Sequence, residues 1–534
     1  MPAHAGRQGW WPRGPPARTR TGSLDRVEDD QAPGGIAEGP AQAADSVPEQ
    51  MRVRLDKRQR LLDSGVDPYP VGFPRTATIA EVRARYPGLE PDTYTGERVG
   101  VTGRVMLSRH GGKLCFATIR DGTGDIQVMI SLDRVGAEAL AGWKRDVDLG
   151  DHIGVEGEVI ASRRGELSIL ADRYAITAKG LRPLPEKHKG LSDVESRVRR
   201  RYVDLIVNPG ARRMAEIRDA VMQSLRQDLH GRGFLEVDTP VLQPVHGGAN
   251  ARPFTTRINS YNMELYLRIA LELHLKRLVV GGIEKVYEIG RIFRNEGVDA
   301  THNPEFTMLE AYEAYGDYDT MATLTRELIQ NAAIAAFGAP VARRADGQEY
   351  DISGEWQSKT VYGAISAALG EEVSPGTSED QLRKLCSRAD VPTEHGWGHG
   401  QIVLEMYERL LEERTVGPTF YRDFPVEVSP LTRAHRDDPR LAERWDLVAF
   451  GTELGTAYSE LVDPVEERRR LTAQSLLAAG GDPEAMQLDE DFLQALEYGM
   501  PPTGGMGMGV DRLLIMLTGE SIRETTLFPL VRPQ

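Results

Sequence analysis

The sequence predicts an α+β chain, a small β-barrel followed by a larger domain of mixed helices and strands. Two observations predict it. About five short strand patterns separated by turn residues fall within about 85 residues, between about 97 and 180, as in a small closed barrel. From about residue 206 onward, helices and strands mix without regular βαβ alternation, which argues against a doubly wound parallel sheet. The 534 residues leave room for both, since the length prior allows about three or four domains.

Residues 1–47 are rich in Pro, Gly, Ala and Arg, then in Asp and Glu. They carry no hydrophobic period and read as a disordered tail. Residues 48–96 read as a basic helix and a connector. Along "PEQMRVRLDKRQRLL" lie Arg52, Arg54, Lys57, Arg58 and Arg60, which serve either a solvated face or a nucleic-acid contact. The barrel follows at 97–180. "VGVTGRVMLSRHGGKLCFATIRDGTGDIQVMI" is its clearest run, with hairpin turns at Gly111-Gly112 and Gly122 to Gly124. "DHIGVEGEVIASRRGELSILADRYAI" adds about two or three strands, and an OB-fold is one barrel of this kind. Residues 181–205 read as a linker that begins Pro-rich and ends in Arg197, Arg199, Arg200 and Arg201. The large domain spans 206–534, with no internal repeat.

Hydrophobic residues make up 40 % of the chain and charged residues 27 %, the balance of a globular protein. No apolar run reaches roughly 18 residues, so no membrane segment is expected. The N-terminus holds Trp10 and Trp11 but no apolar signal core, so secretion is not expected. Cys115 and Cys386 are the only cysteines. They make neither a disulfide framework nor a cysteine zinc site, and they fit a reducing cytoplasm. A net charge of -15 excludes a uniformly basic nucleic-acid binder and leaves room for a local basic face. The patterns GxxxxGK[ST] and GxGxxG are missing, as is a HIGH-type motif. A bound nucleotide would need another architecture.

Three stretches carry candidate chemistry. "VYEIGRIFRNE" and "EFTMLEAYEAY" read as the strands of a hairpin around "GVDATHNP". Alternation puts Glu288, Arg294 and Glu296 on one face of the first strand, opposite Tyr287, Ile289 and Phe293. In the second strand Phe306, Met308, Glu310 and Tyr312 share a face opposite Thr307, Leu309 and Ala311. A loop longer than a tight turn often has a function. "RWDLVAFGTELGTAYSELVDP" sets Asp446, Glu453 and Glu460 on short strands, where converging carboxylates hold a divalent metal or bind a cation. In "GMPPTGGMGMGVDRLLIML" Gly505, Gly507 and Gly509 alternate, which weakens a strand unless something approaches its backbone closely. Arg512 falls in the first turn of the following helix, where the helix N-terminus and a fixed charge favour an anion.

Together "GFLEVDTPVL", "FRNEG...HNPEF" and "GMGMGVDR" resemble the three motifs of class II aminoacyl-tRNA synthetases. "GGANARPF", "LELHLKRL", "YSEL" and the C-terminal "FPLVRP" extend the resemblance to the bacterial lysyl-tRNA synthetase family. It includes the synthetase part of actinobacterial lysyl-tRNA synthetase/lipid-lysylation fusion proteins, and runs from about Glu49 to the C-terminus. The resemblance implies an antiparallel sheet flanked by helices, preceded by an OB-fold that binds the anticodon. It implies ATP-dependent activation of L-lysine with Mg2+, and transfer of lysyl to tRNA(Lys). It also implies a cytoplasmic homodimer with Pro240 at its interface.

By motif, Arg294 and Arg512 would be the catalytic cations, at the α-phosphate and the γ-phosphate end of ATP. Glu296, His302 and Asn303 would position ATP, and Phe306 would stack on adenine. Asp446 and Glu453 would hold Mg2+ beside ATP. Gly248, Glu272, Glu310 and Tyr312 would line the lysine pocket with Thr456, Tyr458, Glu460 and Gly507. In the barrel, Phe116 and Gln127 would contact the central anticodon base. An acidic pocket suits an ammonium, whereas the aspartate of a related synthetase needs a cationic partner.

The sequence departs from the family pattern at several positions. Thr301 stands where an arginine is usual, Asp446 replaces a Glu, and Thr456 replaces an Asn. Leu271 replaces a Pro, and His274 replaces an aromatic residue. The leading reading is a lysine–tRNA ligase. A divergent paralogue that supplies lysyl groups for lipid or protein modification is the second, and a non-catalytic tRNA-binding regulator the third. Retained Arg294, Glu453 and Arg512 weigh against the third. The lipid-lysylating membrane domain of the fusions is not expected in this chain. The barrel argues against enzymes that lysylate a translation factor, which resemble the catalytic domain alone.

Overall fold

The computed structural model describes residues 48–185, 191–344, 346–479 and 487–533, so the tail expected to be disordered lies outside the described residues. The chain divides into two compact units, one up to Leu184 and one from Pro185 onward.

The first unit opens with helix α1 (Glu49–Asp63). Five strands follow, β1 (Tyr94–His110), β2 (Leu114–Arg120), β3 (Asp125–Ser131), β4 (His152–Ala161) and β5 (Leu167–Ala178). They close into a barrel in the order β1-β2-β3-β5-β4. β1 is long enough to pair with both β2 and β4, and a bulge between Val105 and Leu107 bends it round the barrel. In β2 and β3, buried and half-buried residues alternate without exception. One face, with Ile119, Ile126, Val128 and Ile130, fills the core, and the other is left open. Helix α2 (Ala137–Asp146) lies between β3 and β4 and buries Trp143 against this core. Three of the five basic residues of α1 are structural. Arg54 donates to the carbonyls of Gly180 and Leu149, Lys57 pairs with Asp148, and Arg60 pairs with Asp146.

The second unit is built on an eight-stranded sheet. Its strands are β6 (Leu235–Glu236), β7 (Lys285–Phe293), β8 (Glu305–Ala314), β9 (Gln357–Thr360), β10 (Thr419–Pro425), β11 (Leu441–Ala449), β12 (Thr452–Ser459) and β13 (Thr503–Gly509). The order is β9-β10-β11-β12-β13-β8-β7-β6. The pairings are antiparallel except at the two edges, β9 with β10 and β7 with β6. One sheet face packs against α3 (Pro209–Gly231), α5 (Tyr318–Phe337) and α7 (Val510–Thr518). In α3 the buried Ile217, Val221, Leu225 and Leu229 recur every four residues, one stripe of a helix. Burying each such side chain is worth about 1.5–3 kcal/mol. The opposite sheet face is covered by α4 (Glu272–Val280), α6 (Pro464–Ala479) and the helix Glu490–Glu497 at one end and by the helices Val361–Leu369, Glu379–Arg388 and His399–Leu410 at the other, which leaves a cleft over β8, β12 and β13.

Residues 181–205 do more than link. Two short helices, Val194–Arg199 and Arg201–Val207, start within them. Arg197 pairs with Asp204 and Glu524, and the buried Arg201 donates to Asp204 and to the carbonyls of Arg523 and Leu527. These arginines tie the start of the unit to its end. No helix among the described residues is long and apolar enough to cross a membrane.

Candidate active site

A cavity of about 380 Å³ opens over the middle strands of the large sheet, between the helices that cover the rest of that face. Register explains its composition, because residues opposite each other in an antiparallel ladder point to the same side. One row reads Glu310, Gly507, Thr456 and Asp446, and the next reads Tyr312, Gly505, Tyr458 and Arg444. β7 and β8 form the expected hairpin, with Glu288 opposite Glu310 and Phe293 opposite Glu305. Phe306, Met308, Glu310 and Tyr312 all line the cavity, while Leu309 and Ala311 lie in the core behind them.

The acidic end holds Glu272, Glu310 and Glu460. Burial, and then Glu272, push Glu310 up to about 7. Two donors work against that shift, the Leu271 N–H at 3.0 Å and the Tyr312 hydroxyl at 3.1 Å. A proline, usual in the family at position 271, has no such N–H. Gly248 borders this end in a left-handed conformation, with φ 87°, where glycine is favoured. Thr456 and Tyr458 also line the cavity, and the Thr456 hydroxyl is turned to the Trp445 carbonyl.

The other end is cationic. The Arg294 guanidinium lies 5.4 Å from the centre of the Phe306 ring, and its Nε donates to the Ile269 carbonyl. Burial lowers its pKa and Glu296, Glu453 and Glu310 oppose that, but an arginine keeps its charge. Arg512 donates through Nη1 to the Glu453 carbonyl at 2.9 Å, and its Nη2 lies 3.1 Å from His302 Nε2. Arginine only donates, so Nε2 accepts, and the His302 proton sits on Nδ1, 2.8 Å from Asp299 Oδ2. Burial pushes Asp299 up, but hydrogen bonds from Thr301 and His302 outweigh it and bring the carboxyl to about 2. Thr301 thus shapes this turn, through its backbone N–H and its hydroxyl, both on Asp299 Oδ1. Glu296 and Asn303 lie on the cavity rim in the exposed loop.

Two expectations need correction. Strand β7 ends at Phe293, so Arg294 and Glu296 belong to the loop and do not share a strand face with Glu288. Glu288 is on the same side of the sheet as Glu310 but does not line the cavity; it is buried, paired with Arg268 at 2.6 Å and accepting from the Thr239 hydroxyl. Asp446 points to the cavity side of the sheet but does not line the cavity. Arg444, two residues away on the same face, donates to both of its oxygens, at 2.9 and 2.8 Å. Only Glu453 of the expected metal pair reaches the cavity, and no cluster of three or more metal-ligating side chains exists among the described residues. In this arrangement Arg444 occupies both oxygens of Asp446, which leaves Glu453 as the carboxylate of the pair that faces the cavity.

Residues missing from the sequence reading complete the site. Lys276 touches Glu272 and Glu460, each at 2.5 Å. The Glu272–Lys276 spacing on a helix is a legible signal, whereas its link to Glu460 is not. Gly505, rather than Gly507, is the glycine that pocket groups crowd. A Cβ there would overlap Glu460 Oε1, while one on Gly507 would sit 3.7 Å from Glu310 Cγ. In the barrel, Phe116 and Gln127 are both half-buried on the open face of β2 and β3, and Gln127 donates to Ser168 Oγ.

Two family models match the chain. Residues 193–532 match the family described as tRNA synthetases class II (D, K and N), and residues 99–177 match the OB-fold nucleic acid binding domain. The chain belongs to the class II tRNA synthetases. It is 57 % identical over 491 residues to a lysine–tRNA ligase of Mycolicibacterium gilvum, covering 91 % of this chain and 98 % of that protein. It is 56 % identical over 501 residues to a lysine–tRNA ligase of Kineococcus radiotolerans, covering 93 % and 100 %. It is also 60 % identical over 491 residues to the lysylphosphatidylglycerol biosynthesis bifunctional protein LysX of Nocardia farcinica. There it covers 91 % of this chain but spans only 43 % of that protein.

Proposed function

We propose that the protein is a lysine–tRNA ligase, which joins L-lysine to ATP as lysyl-adenylate with release of pyrophosphate, then transfers lysyl to tRNA(Lys). One observation carries the reading. A single cavity brings Arg294 and Arg512 to one end and Glu272, Glu310 and Glu460 to the other. That is the charge pattern needed to hold a triphosphate and an ammonium at once. The lysine carboxylate attacks the α-phosphorus and the bond to pyrophosphate breaks. Both reactants are anions, so Arg294 and Arg512 offset their repulsion and the charge that develops. Positioning supplies much of the rate, with no side-chain nucleophile. In this reading Glu296, His302 and Asn303 hold ATP, and Phe306 stacks on adenine.

Mg2+ is part of the proposal as the ion of the triphosphate, with Glu453 as its cavity-facing carboxylate. Asp446 does not fit while Arg444 holds it, and no step here depends on the ion. Phe116 and Gln127 would read the anticodon from the open barrel face. The proposal includes a cytoplasmic homodimer, and the exposed Leu235, Val241 and Leu242 near Pro240 support an interface there.

Lysine-dependent ATP–pyrophosphate exchange, followed by charging of tRNA(Lys), tests the reading. Arg294→Ala is expected to lower exchange by roughly 10²-fold or more, as for loss of a preorganised charge. Wild-type protein without exchange for any amino acid would overturn the reading in favour of a tRNA-binding regulator. The similarity to LysX supports a second reading, in which the same lysyl-tRNA feeds lipid modification. A fall in lysylated lipid on deletion of the gene, with bulk tRNA(Lys) charging unchanged, would favour it.

A further inference from the structure

Lys276 is fully buried on α4, yet its ammonium touches two carboxylates of the cavity, Glu272 Oε1 and Glu460 Oε2, each at 2.5 Å. Glu272 and Glu460 line the cavity and Lys276 does not. The ammonium therefore meets them from the protein side and leaves their cavity side to a ligand. The second oxygen of Glu460 agrees with this. Oε2 meets Lys276 as an ion pair without hydrogen-bond geometry, while Oε1 is buried, has neither a hydrogen-bond donor nor a cation in contact among the described residues, and lies over Gly505 in the cavity wall.

We propose that Lys276 is a positioning residue of the lysine pocket, holding Glu272 and Glu460 from behind so that their remaining oxygens converge on the substrate ammonium. The inference rests on the lysine-ligase reading. The groups that face the cluster come from four elements. They are Glu272 on α4, Glu460 and Tyr458 at the end of β12, Glu467 and Arg470 on α6, and Glu310 and Tyr312 on β8. Three carboxylates, Glu272, Glu460 and Glu467, thus crowd one buried ammonium. Burial disfavours the charge on Lys276, but Glu272 and Glu460 outweigh it and hold the amine above its ordinary value. Burial pushes Glu460 and Glu467 upward while Lys276 opposes both shifts. Without Lys276 these carboxylates lose their nearest cation and hold protons to higher pH. A protonated carboxyl presents an O–H where the substrate ammonium needs an acceptor.

A plug is the competing role, in which the Lys276 ammonium occupies the substrate's place and must leave. Its approach from outside the cavity argues against that. The two roles predict opposite signs. In the full chain, Lys276→Met is expected to raise the lysine KM in pyrophosphate exchange roughly tenfold or more, as for loss of one partner of a buried charge pair. The ATP KM should stay within about twofold, and the lysine KM profile should move upward by about one pH unit. Lys276→Arg keeps the charge but not the compact contact with both carboxylates. It should fold, keep the wild-type pH profile and show a smaller rise in lysine KM. A folded Lys276→Met protein with unchanged or lowered lysine KM overturns the inference. If only Lys276→Arg folds, a wild-type lysine KM in that variant overturns it. Wild-type enzyme without lysine-dependent exchange would instead overturn the functional reading beneath it.

Discussion

Gly505→Ala tests whether close approach, rather than backbone freedom, requires a glycine in the pocket floor. Gly505 is not among the residues with positive φ, so alanine fits the backbone. Its Cβ does not fit the pocket. It would overlap Glu460 Oε1 and stand 2.5 and 2.7 Å from two ring carbons of Tyr312, against about 3.5–4.0 Å for a comfortable carbon contact. Neither neighbour can easily yield. Glu460 is held by Lys276 at 2.5 Å, and the buried Tyr312 donates its hydroxyl to Glu310 at 3.1 Å. Overpacking of this kind costs about 1–3 kcal/mol. If all of it falls on the lysine-binding arrangement, the lysine KM rises about 5- to 150-fold. The assay is pyrophosphate exchange at varied lysine and saturating ATP, with thermal unfolding as the control for folding. Gly507→Ala supplies the contrast, since its Cβ would meet Glu310 Cγ at 3.7 Å, and its Tm should match wild type. A Gly505→Ala enzyme with lysine KM within about twofold of wild type would refute the reasoning.

Three further outcomes are expected. Leu271→Pro removes the N–H that Glu310 Oε1 accepts at 3.0 Å. The lysine KM profile should move upward by about half to one pH unit, and an unmoved profile would show that this N–H is unimportant. Glu467 is buried without a hydrogen-bond donor among the described residues, and burial pushes it up to about 7. Its folded value lies above its unfolded one, so the folded state holds the extra proton, and stability falls as pH rises toward and through 7. Glu467→Gln should lose less Tm than wild type between pH 6 and pH 8, and parallel Tm–pH curves would contradict this. Phe116→Ala should leave pyrophosphate exchange unchanged while kcat/KM for tRNA(Lys) falls about 5- to 150-fold, the range of one lost base stack. A matching loss of exchange would give Phe116 a structural role instead.

Much of the fold and site was legible because alternation is a local property. The two glycine turns and the alternating residues of β2 and β3 marked the barrel, whose strands bury every second side chain. The same period put Phe306, Met308, Glu310 and Tyr312 on one face, and all four line the cavity. Alternation failed where the ladder stopped. Past Phe293 the chain leaves the sheet, so Arg294 and Glu296 follow loop geometry. It also could not assign Glu288, whose face was legible but whose partner, Arg268, comes from another segment.

By itself, the sequence determined which chemical groups are present and their local spacing. It carried the barrel's strand period, the hairpin of β7 and β8, the arginine opening α7 and the carboxylates of the pocket. Only the tertiary structure decided which charges meet. Arg444 takes both oxygens of Asp446, Leu271 lends Glu310 a backbone donor, and Lys276 joins Glu272 to Glu460. The reason is physical. Periodicity sets the direction of a side chain, but a buried charge is governed by its nearest partner. Strand register and helix packing choose that partner from distant parts of the chain.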